Sequence, residues 1–238
     1  MEKPVVIVAH GQPSDPRTLG AEIEALAAEV ARHLPGRSVA AATLAESGAL
    51  AHALGSAGQP GVVYPLFMAG GWFSRLHLPK KLAEAGGAGW QVLEPMGCDA
   101  AVHQLALTIA KESGAEEVLV AAHGSSRSAV PADIARHVAG LISVRLGIHA
   151  EAAFLEHAPR IAEATGLGPR SVCLPFFATG GAHVTEDIPA ALEQAWFRGR
   201  ILPPLGQDAR IPALIAAAVT AGQPVCAAAC RWAHDRDD

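Results

Sequence analysis

Residues 65–82 read PLFMAGGWFSRLHLPKKL, and residues 175–192 read PFFATGGAHVTEDIPAAL. The two stretches align without a gap: Pro65 with Pro175, Phe67 with Phe177, Gly70-Gly71 with Gly180-Gly181, Pro79 with Pro189, Leu82 with Leu192. The relation extends to both sides. Val-Ile-Val-Ala-His-Gly at 6–11 matches Leu-Val-Ala-Ala-His-Gly at 119–124, and Pro95-Met96-Gly97-Cys98-Asp99 matches Pro204-Leu205-Gly206-Gln207-Asp208. Blocks that recur in one order at nearly constant offset mark a duplicated domain, and such a repeat decides the architecture before any local reading does. The copies are taken as residues 1–113 and 114–221, with a tail at 222–238 outside the repeat.

Each copy alternates strand and helix. In the first, Val5–Ala9 is a continuous apolar run ending in His-Gly, as suits a strand buried on both faces of a parallel sheet. Leu19, Ile23, Leu26 and Val30 share one side of a helix over 19–34. Shorter strands are expected at 38–44, 61–67 and 90–93, and helices at 76–85 and 99–112, the last with Asp99 as N-cap. The second copy repeats this, with strands near 117–122, 149–155, 171–177 and 200–202. Its helices are expected near 131–145, 158–165, 185–197 and 208–221. The fold class is therefore α/β: two duplicated domains, each a parallel four-stranded sheet with helices on both faces, facing each other across a cleft.

Of the 238 residues, half are hydrophobic and 17% are charged, which excludes a disordered chain. A net charge of −5 argues against a nucleic-acid binder, which would carry a basic face. Four scattered cysteines form no disulfide framework and fit a reducing cytosol. No membrane-length apolar run occurs, and the opening residues lack a signal-peptide pattern, so a soluble, cytoplasmic protein is expected. Oligomeric state is not readable, although an internal duplication can replace a homodimer and leave a monomer.

Ligands of open parallel sheets bind beyond the carboxyl ends of the strands. Both His-Gly motifs and both Pro-x-Phe-x-x-Gly-Gly motifs fall there, the double glycines suiting a positive φ or close backbone approach to a ligand. The copies differ at that edge. The second has His183 where the first has Phe73, and Glu156 where the first has Ala45. Only the second therefore gathers His123, Glu156 and His183. Two imidazoles and a carboxylate suit a divalent first-row metal, and imidazoles also accept protons. Metal insertion into a macrocycle needs both, because two pyrrolic protons leave as the metal enters.

His-Gly-Ser after a first strand, Phe-Leu-Glu midway and Pro-Phe-Phe-x-x-Gly-Gly-x-His-x-x-x-Asp-Ile-Pro later resemble the CbiX/SirB group of class II chelatases, over residues 4–215. The segment GGAHVTEDIP is the most specific part. The resemblance implies insertion of Co²⁺ or Fe²⁺ into sirohydrochlorin, on routes to cobalamin or sirohaem. It gives His123 and His183 the metal-binding and deprotonating roles, with Glu156 as accompanying acid. The tetrapyrrole is the partner, the metal is a substrate, and no organic cofactor is implied. His10, Ser125, Arg127, Gly180 and Gly181 are the candidate substrate-binding residues. One departure stands out: two-domain members usually look complete in the first half, whereas here the second half is complete, as in the related ferrochelatases and anaerobic cobalt chelatases. Either the active site has moved, or a non-catalytic tetrapyrrole or metal binder remains.

Other features carry blander readings. Ser125 and Ser126 lack the second glycine of a nucleophile elbow, which weakens a hydrolase. Asp187 is read as capping or beginning the helix after Gly-Gly, Arg127 as either a carboxylate partner or surface charge, and Trp72 and Phe73 as either stacking against a macrocycle face or core, core being the simpler account. His10 either lines the opposite wall or persists from duplication. Glu156 is either a ligand or an exposed strand-end residue, with His157 competing for its role. Cys226, Cys230 and His234, spaced i, i+4, i+8, would share a helix face, but reduced or buried cysteines are the simpler account. Cobalt and iron are not distinguished, since the same ligands accept both.

Overall fold

The computed structural model describes residues 2–11, 16–226 and 230–232, with side chains from residue 19 in the second stretch. The first copy contains β1 (Val5–Ala9), α1 (Pro16–Arg32), β2 (Val39–Thr43), α2 (Ala49–Ser56), β3 (Val62–Pro65), α3 (Leu78–Glu84), β4 (Gln91–Val92) and α4 (Ala100–Ser113). The second contains β5 (Glu117–Ala122), α5 (Val130–Leu146), β6 (His149–Phe154), β7 (Ser171–Pro175), α6 (Ile188–Gln194), β8 (Arg200–Ile201) and α7 (Ile211–Ala221). The two four-stranded sheets have one topology, β2-β1-β3-β4 and β6-β5-β7-β8, parallel throughout. The order reverses between β1 and β3, and again between β5 and β7. That is where an open α/β sheet leaves a crevice at its carboxyl edge.

The strands expected from apolar runs are all present, β1 and β5 at the expected bounds and the others one to three residues shorter. All five residues of β1 are buried, as a strand covered on both faces requires. In α1 the buried side chains Leu19, Ile23, Ala27 and Val30 recur at helical spacing. Two expectations need correction. Helix α2 was not foreseen: its alanine-rich ALAHALGS buries only Leu50, Ala53 and Leu54, too narrow a stripe to read as periodic. Conversely, the helix expected at 158–165 is a 3₁₀ turn at Ile161–Glu163. Pro159 and Gly166 leave six residues between them, too few to offset the entropy of nucleation. Asp99 has the extended backbone of an N-cap immediately before α4.

The sequence repeats and the compact units are not the same divisions. One unit holds Met1–Asp99 with Ala209–Ala229, the other Ala100–Asp208 with Cys230–Asp238. Each unit has taken the last helix of the opposite copy: α7 packs on α1 and β3, and α4 packs on α5 and β7. The start of the tail extends the first sheet, where Leu93 bridges antiparallel to Pro224 and Val225 N–H donates to the Val92 carbonyl at 3.2 Å. Of the Cys226, Cys230 and His234 group, His234 lies outside the described residues, and Cys226 follows extended rather than helical backbone. Among the described residues no helix is long and apolar enough to cross a membrane.

Candidate metal and proton-transfer site

Parallel pairing continues one step past the ends of β5 and β6, and this builds the site. Glu156 N–H donates to the His123 carbonyl at 3.1 Å, so the two residues leave the sheet side by side. The first copy keeps the same bond, from Ala45 N–H to the His10 carbonyl at 2.9 Å, with a methyl group where the carboxylate would be. Each histidine is followed by a glycine with left-handed φ, +80° at Gly11 and +74° at Gly124. A Cβ at Gly124 would strike the His157 ring. Gly11 and Gly124 are therefore the glycines that turn the chain at the site.

The second wall comes from the double-glycine loop. After Gly180-Gly181 the chain enters a π-helical turn, His183–Asp187, that runs into α6; Phe73–His77 does the same before α3. Ile188 N–H reaches back five residues to the His183 carbonyl, and Leu78 N–H to the Phe73 carbonyl. The cause lies in the shared prolines. Pro79 and Pro189 lack an N–H and press on the carbonyl four residues earlier, at Arg75 and Thr185, so the turn before them opens. Single π turns of this kind concentrate at functional sites. Ile188 and Leu192 are buried beneath the turn in one cluster with Leu119 and Ile161. At about 1.5–3 kcal/mol for each fully buried side chain, they hold it from below.

The expectation of positive φ at Gly180 and Gly181 is not met: neither is among the left-handed glycines. A Cβ at Gly180 would meet the Gln207 amide, the movable end of a side chain, and the Gly181 carbonyl accepts from Val184 N–H at 2.8 Å.

His123 and His183 meet with ring centroids 4.7 Å apart and planes at 80°. Their tautomers follow from their partners. His123 Nδ1 lies 3.1 Å from the Gly124 carbonyl, which can only accept, so Nδ1 carries the proton. His183 Nδ1 lies 2.6 Å from Asp187 Oδ2, and a carboxylate likewise accepts. In its neutral form each ring therefore has Nε2 as its free acceptor, the atom that can bind a metal or take a proton. A carbonyl or carboxylate behind the other nitrogen is the arrangement that orients metal-ligating histidines. Glu156 Oε1 is 3.9 Å from His123 Nε2, too far for a hydrogen bond. One ion at ~2.0–2.2 Å from each ligand atom could span that gap. Among the described residues no group of three or more His, Cys, Asp or Glu side chains closes on a point as it stands.

The remaining candidates separate cleanly. His157 stacks on Phe154 at 4.3 Å, and its Nδ1 accepts from Ser125 N–H at 3.2 Å, so it holds the loop after β5. Ser125 Oγ accepts from Arg127 N–H at 3.1 Å, a turn contact rather than an activated nucleophile. Arg127 is exposed on that loop. His10 is exposed, its Nδ1 3.0 Å from the Gly11 carbonyl, but its ring packs on Phe73 at 4.7 Å instead of on a second imidazole. Cys173, buried in β7, has its thiol pushed up to about 12 by burial, which leaves it inert. Asp187 was missed as a functional residue. It makes no side-chain cap bond and serves His183 instead. The available signal was its spacing, four residues after a histidine on one helical face.

One solved structure, described as CbiX, the terminal enzyme for biosynthesis of siroheme in denitrifying bacteria, is 44% identical to this chain with a TM-score of 0.85, covering 92% of this chain and 99% of its own. The chain belongs to the CbiX family. The CbiX family model itself matches residues 117–221, the copy that carries the complete site. SirB from Bacillus subtilis with Fe³⁺ shares the fold at 14% identity and a TM-score of 0.71, covering 92% of this chain and 95% of its own. SirB from Bacillus subtilis subspecies spizizenii in complex with cobalt does so at 13% and 0.71, with coverage of 92% and 94%. A comparison with curated proteins finds no match.

Proposed function

We propose that this CbiX-family chain is a chelatase that inserts Co²⁺ or Fe²⁺ into sirohydrochlorin. The observation that carries the reading is the pair of Nε2 lone pairs on His123 and His183, each fixed from behind, beside the Glu156 carboxylate. The 44% identity to a CbiX described as the terminal enzyme of siroheme biosynthesis supports sirohydrochlorin as the substrate. The reaction exchanges M²⁺ for two pyrrolic protons, with no change of oxidation state. His123 and His183 hold the ion, release it to the macrocycle nitrogens and accept the protons, and Glu156 assists. Asp187 keeps the His183 tautomer fixed and stabilises the ring once it is protonated. His10, Ser125, Arg127, Gly180 and Gly181 are assigned to substrate binding. No organic cofactor takes part, and a cytoplasmic monomer belongs to the same reading.

The test is an anaerobic assay that follows sirohydrochlorin absorbance with Co²⁺ or Fe²⁺ for the unaltered chain and for His183→Ala and His10→Ala. Multiple turnovers that survive in His10→Ala and vanish in His183→Ala are expected. A rate no greater than the uncatalysed background with either metal would remove the enzyme and leave a binding protein.

A further inference from the structure

The first copy's version of the same edge is built from different material. Trp72 and Leu76 are large apolar side chains left 52% and 62% exposed. Trp72 stacks on His77 at 4.9 Å and meets Phe73 edge-on at 5.2 Å. Phe73 also touches His10 at 4.7 Å, Phe67 at 6.0 Å and His77 at 4.9 Å. Five rings therefore share one edge of the sheet, with Phe73 at the centre. The charges differ as sharply. Residues 65–82 contain Arg75, Lys80 and Lys81 and no acid, whereas residues 175–192 contain Glu186 and Asp187 and neither lysine nor arginine. Position by position, Trp72 replaces Ala182, Phe73 replaces His183, Leu76 replaces Glu186, His77 replaces Asp187, and Lys80-Lys81 replace Ala190-Ala191.

The backbone underneath is the same. Both copies keep the π turn, its five-residue length and the proline that follows. On that shared bend this edge is apolar and aromatic, flanked by cations. Such a surface has little to offer a divalent ion. It fits a flat conjugated ring with carboxylate arms, because ring faces pack on Trp and Phe and ammonium groups pair with carboxylates. Lys80 and Lys81 stand 4.0 and 2.8 Å from Glu84. Exposed ion pairs of that kind contribute little and exchange readily for a ligand's carboxylates.

We propose that the edge formed by Trp72, Phe73 and Leu76 with Lys80 and Lys81 is the macrocycle-binding wall of the first unit. The two copies' edges differ in charge accordingly: the first offers rings and ammonium groups to the anionic macrocycle, and the second offers imidazoles and a carboxylate to the cation beside its own substrate-binding residues. The inference rests on the chelatase reading and names the residues that select its organic substrate.

The experiment measures the equilibrium affinity of the full-length chain for metal-free sirohydrochlorin, alongside KM and kcat in the chelation assay. The variants are Trp72→Ala and Lys80→Ala/Lys81→Ala, whose altered side chains are exposed or partly exposed and whose folding is checked by circular dichroism. Trp72→Ala weakens ring binding about tenfold and raises KM with kcat little changed. The double lysine variant weakens binding and flattens its dependence on salt. His183→Ala is the reference, losing turnover while binding the metal-free ring within about twofold of the unaltered chain. Ring affinity and KM unchanged in both wall variants, in a chain that turns over, would overturn the wall and leave the chelatase standing. A chain that neither binds nor metallates sirohydrochlorin would overturn the chelatase reading and this inference with it.

Discussion

At position 73 the first copy has phenylalanine, and at position 183 the second has histidine, on backbones that bend alike through a π turn. Four residues on, the first has His77 stacked on Trp72 and edge-on to Phe73, and the second has Asp187 bonded to His183 at 2.6 Å. The fold has preserved the bend and exchanged its contents. Backbone geometry is set by features common to both copies: the prolines, the double glycines and the buried leucines beneath. Chemistry is set by a handful of exposed side chains that the geometry leaves free to vary. Duplication therefore let one copy carry the His123, Glu156 and His183 grouping while the other carries Phe73 and Ala45 on the same backbone.

The largest expected effect tests which copy does the chemistry. His183→Ala should lower kcat at least about a hundredfold, since a positioned base contributes ~10²–10⁴, while His10→Ala should remain within about threefold. Equal losses would show that the copies still share the reaction. The next effect tests the partner. Asp187→Asn keeps the shape but weakens the acceptor behind Nδ1, and altering such a partner typically costs ~10–100-fold in metal affinity or activity. Titration with Co²⁺ and measurement of kcat decide it; values within twofold of the unaltered chain would make the 2.6 Å contact incidental.

A third variant tries to erase the comparison. If the first copy differs only in side chains, Ala45→Glu, Phe73→His and His77→Asp together should rebuild the missing set beside His10. Calorimetric titration should then find two Co²⁺ per chain in place of one, with a second affinity within about tenfold of the first. A stoichiometry still at one would mean that the backbones, although alike in pattern, are not interchangeable.

The fold was legible because its signals were redundant. Strand β1 reads as buried from five consecutive apolar residues, and β5 repeats it, so each copy confirmed the other. The His123, Glu156 and His183 grouping was readable by subtraction, as the places where the copies disagree. The exchange of α4 and α7 between units was not readable, because an amphipathic helix states that it has a buried face and not which sheet covers it. The π turns were equally silent: Pro79 and Pro189 suit the first turn of an ordinary helix, and only the carbonyl geometry ahead of them shows the opened turn. Asp187 was hidden for a related reason, since aspartate ahead of Ile-Pro reads as a cap. Trp72 reads as core or as a stacking face, and its half exposure goes against core.

The smallest effect concerns His77, the residue standing where Asp187 stands in the other copy. Burial first, and then the neighbouring Lys81 and His10, hold its imidazole below the ordinary range. The unfolded chain therefore takes up this proton at a higher pH than the folded chain. Between the folded value and ~6.5 the unfolded state binds more protons, so stability rises with pH across that window and is lost as pH falls through it. His77→Gln removes this increment while keeping a polar side chain of similar size. The Tm gain between pH 5 and pH 7.5 should shrink by about one degree, given that ~1 kcal/mol shifts a chain of this size by only ~2–4 °C and the ring is partly exposed. A larger gain in the variant would reverse the sign and mean that the folded chain holds the His77 proton to a higher pH than the unfolded chain does. The wall would then favour a charged ring at position 77 beside Lys80 and Lys81.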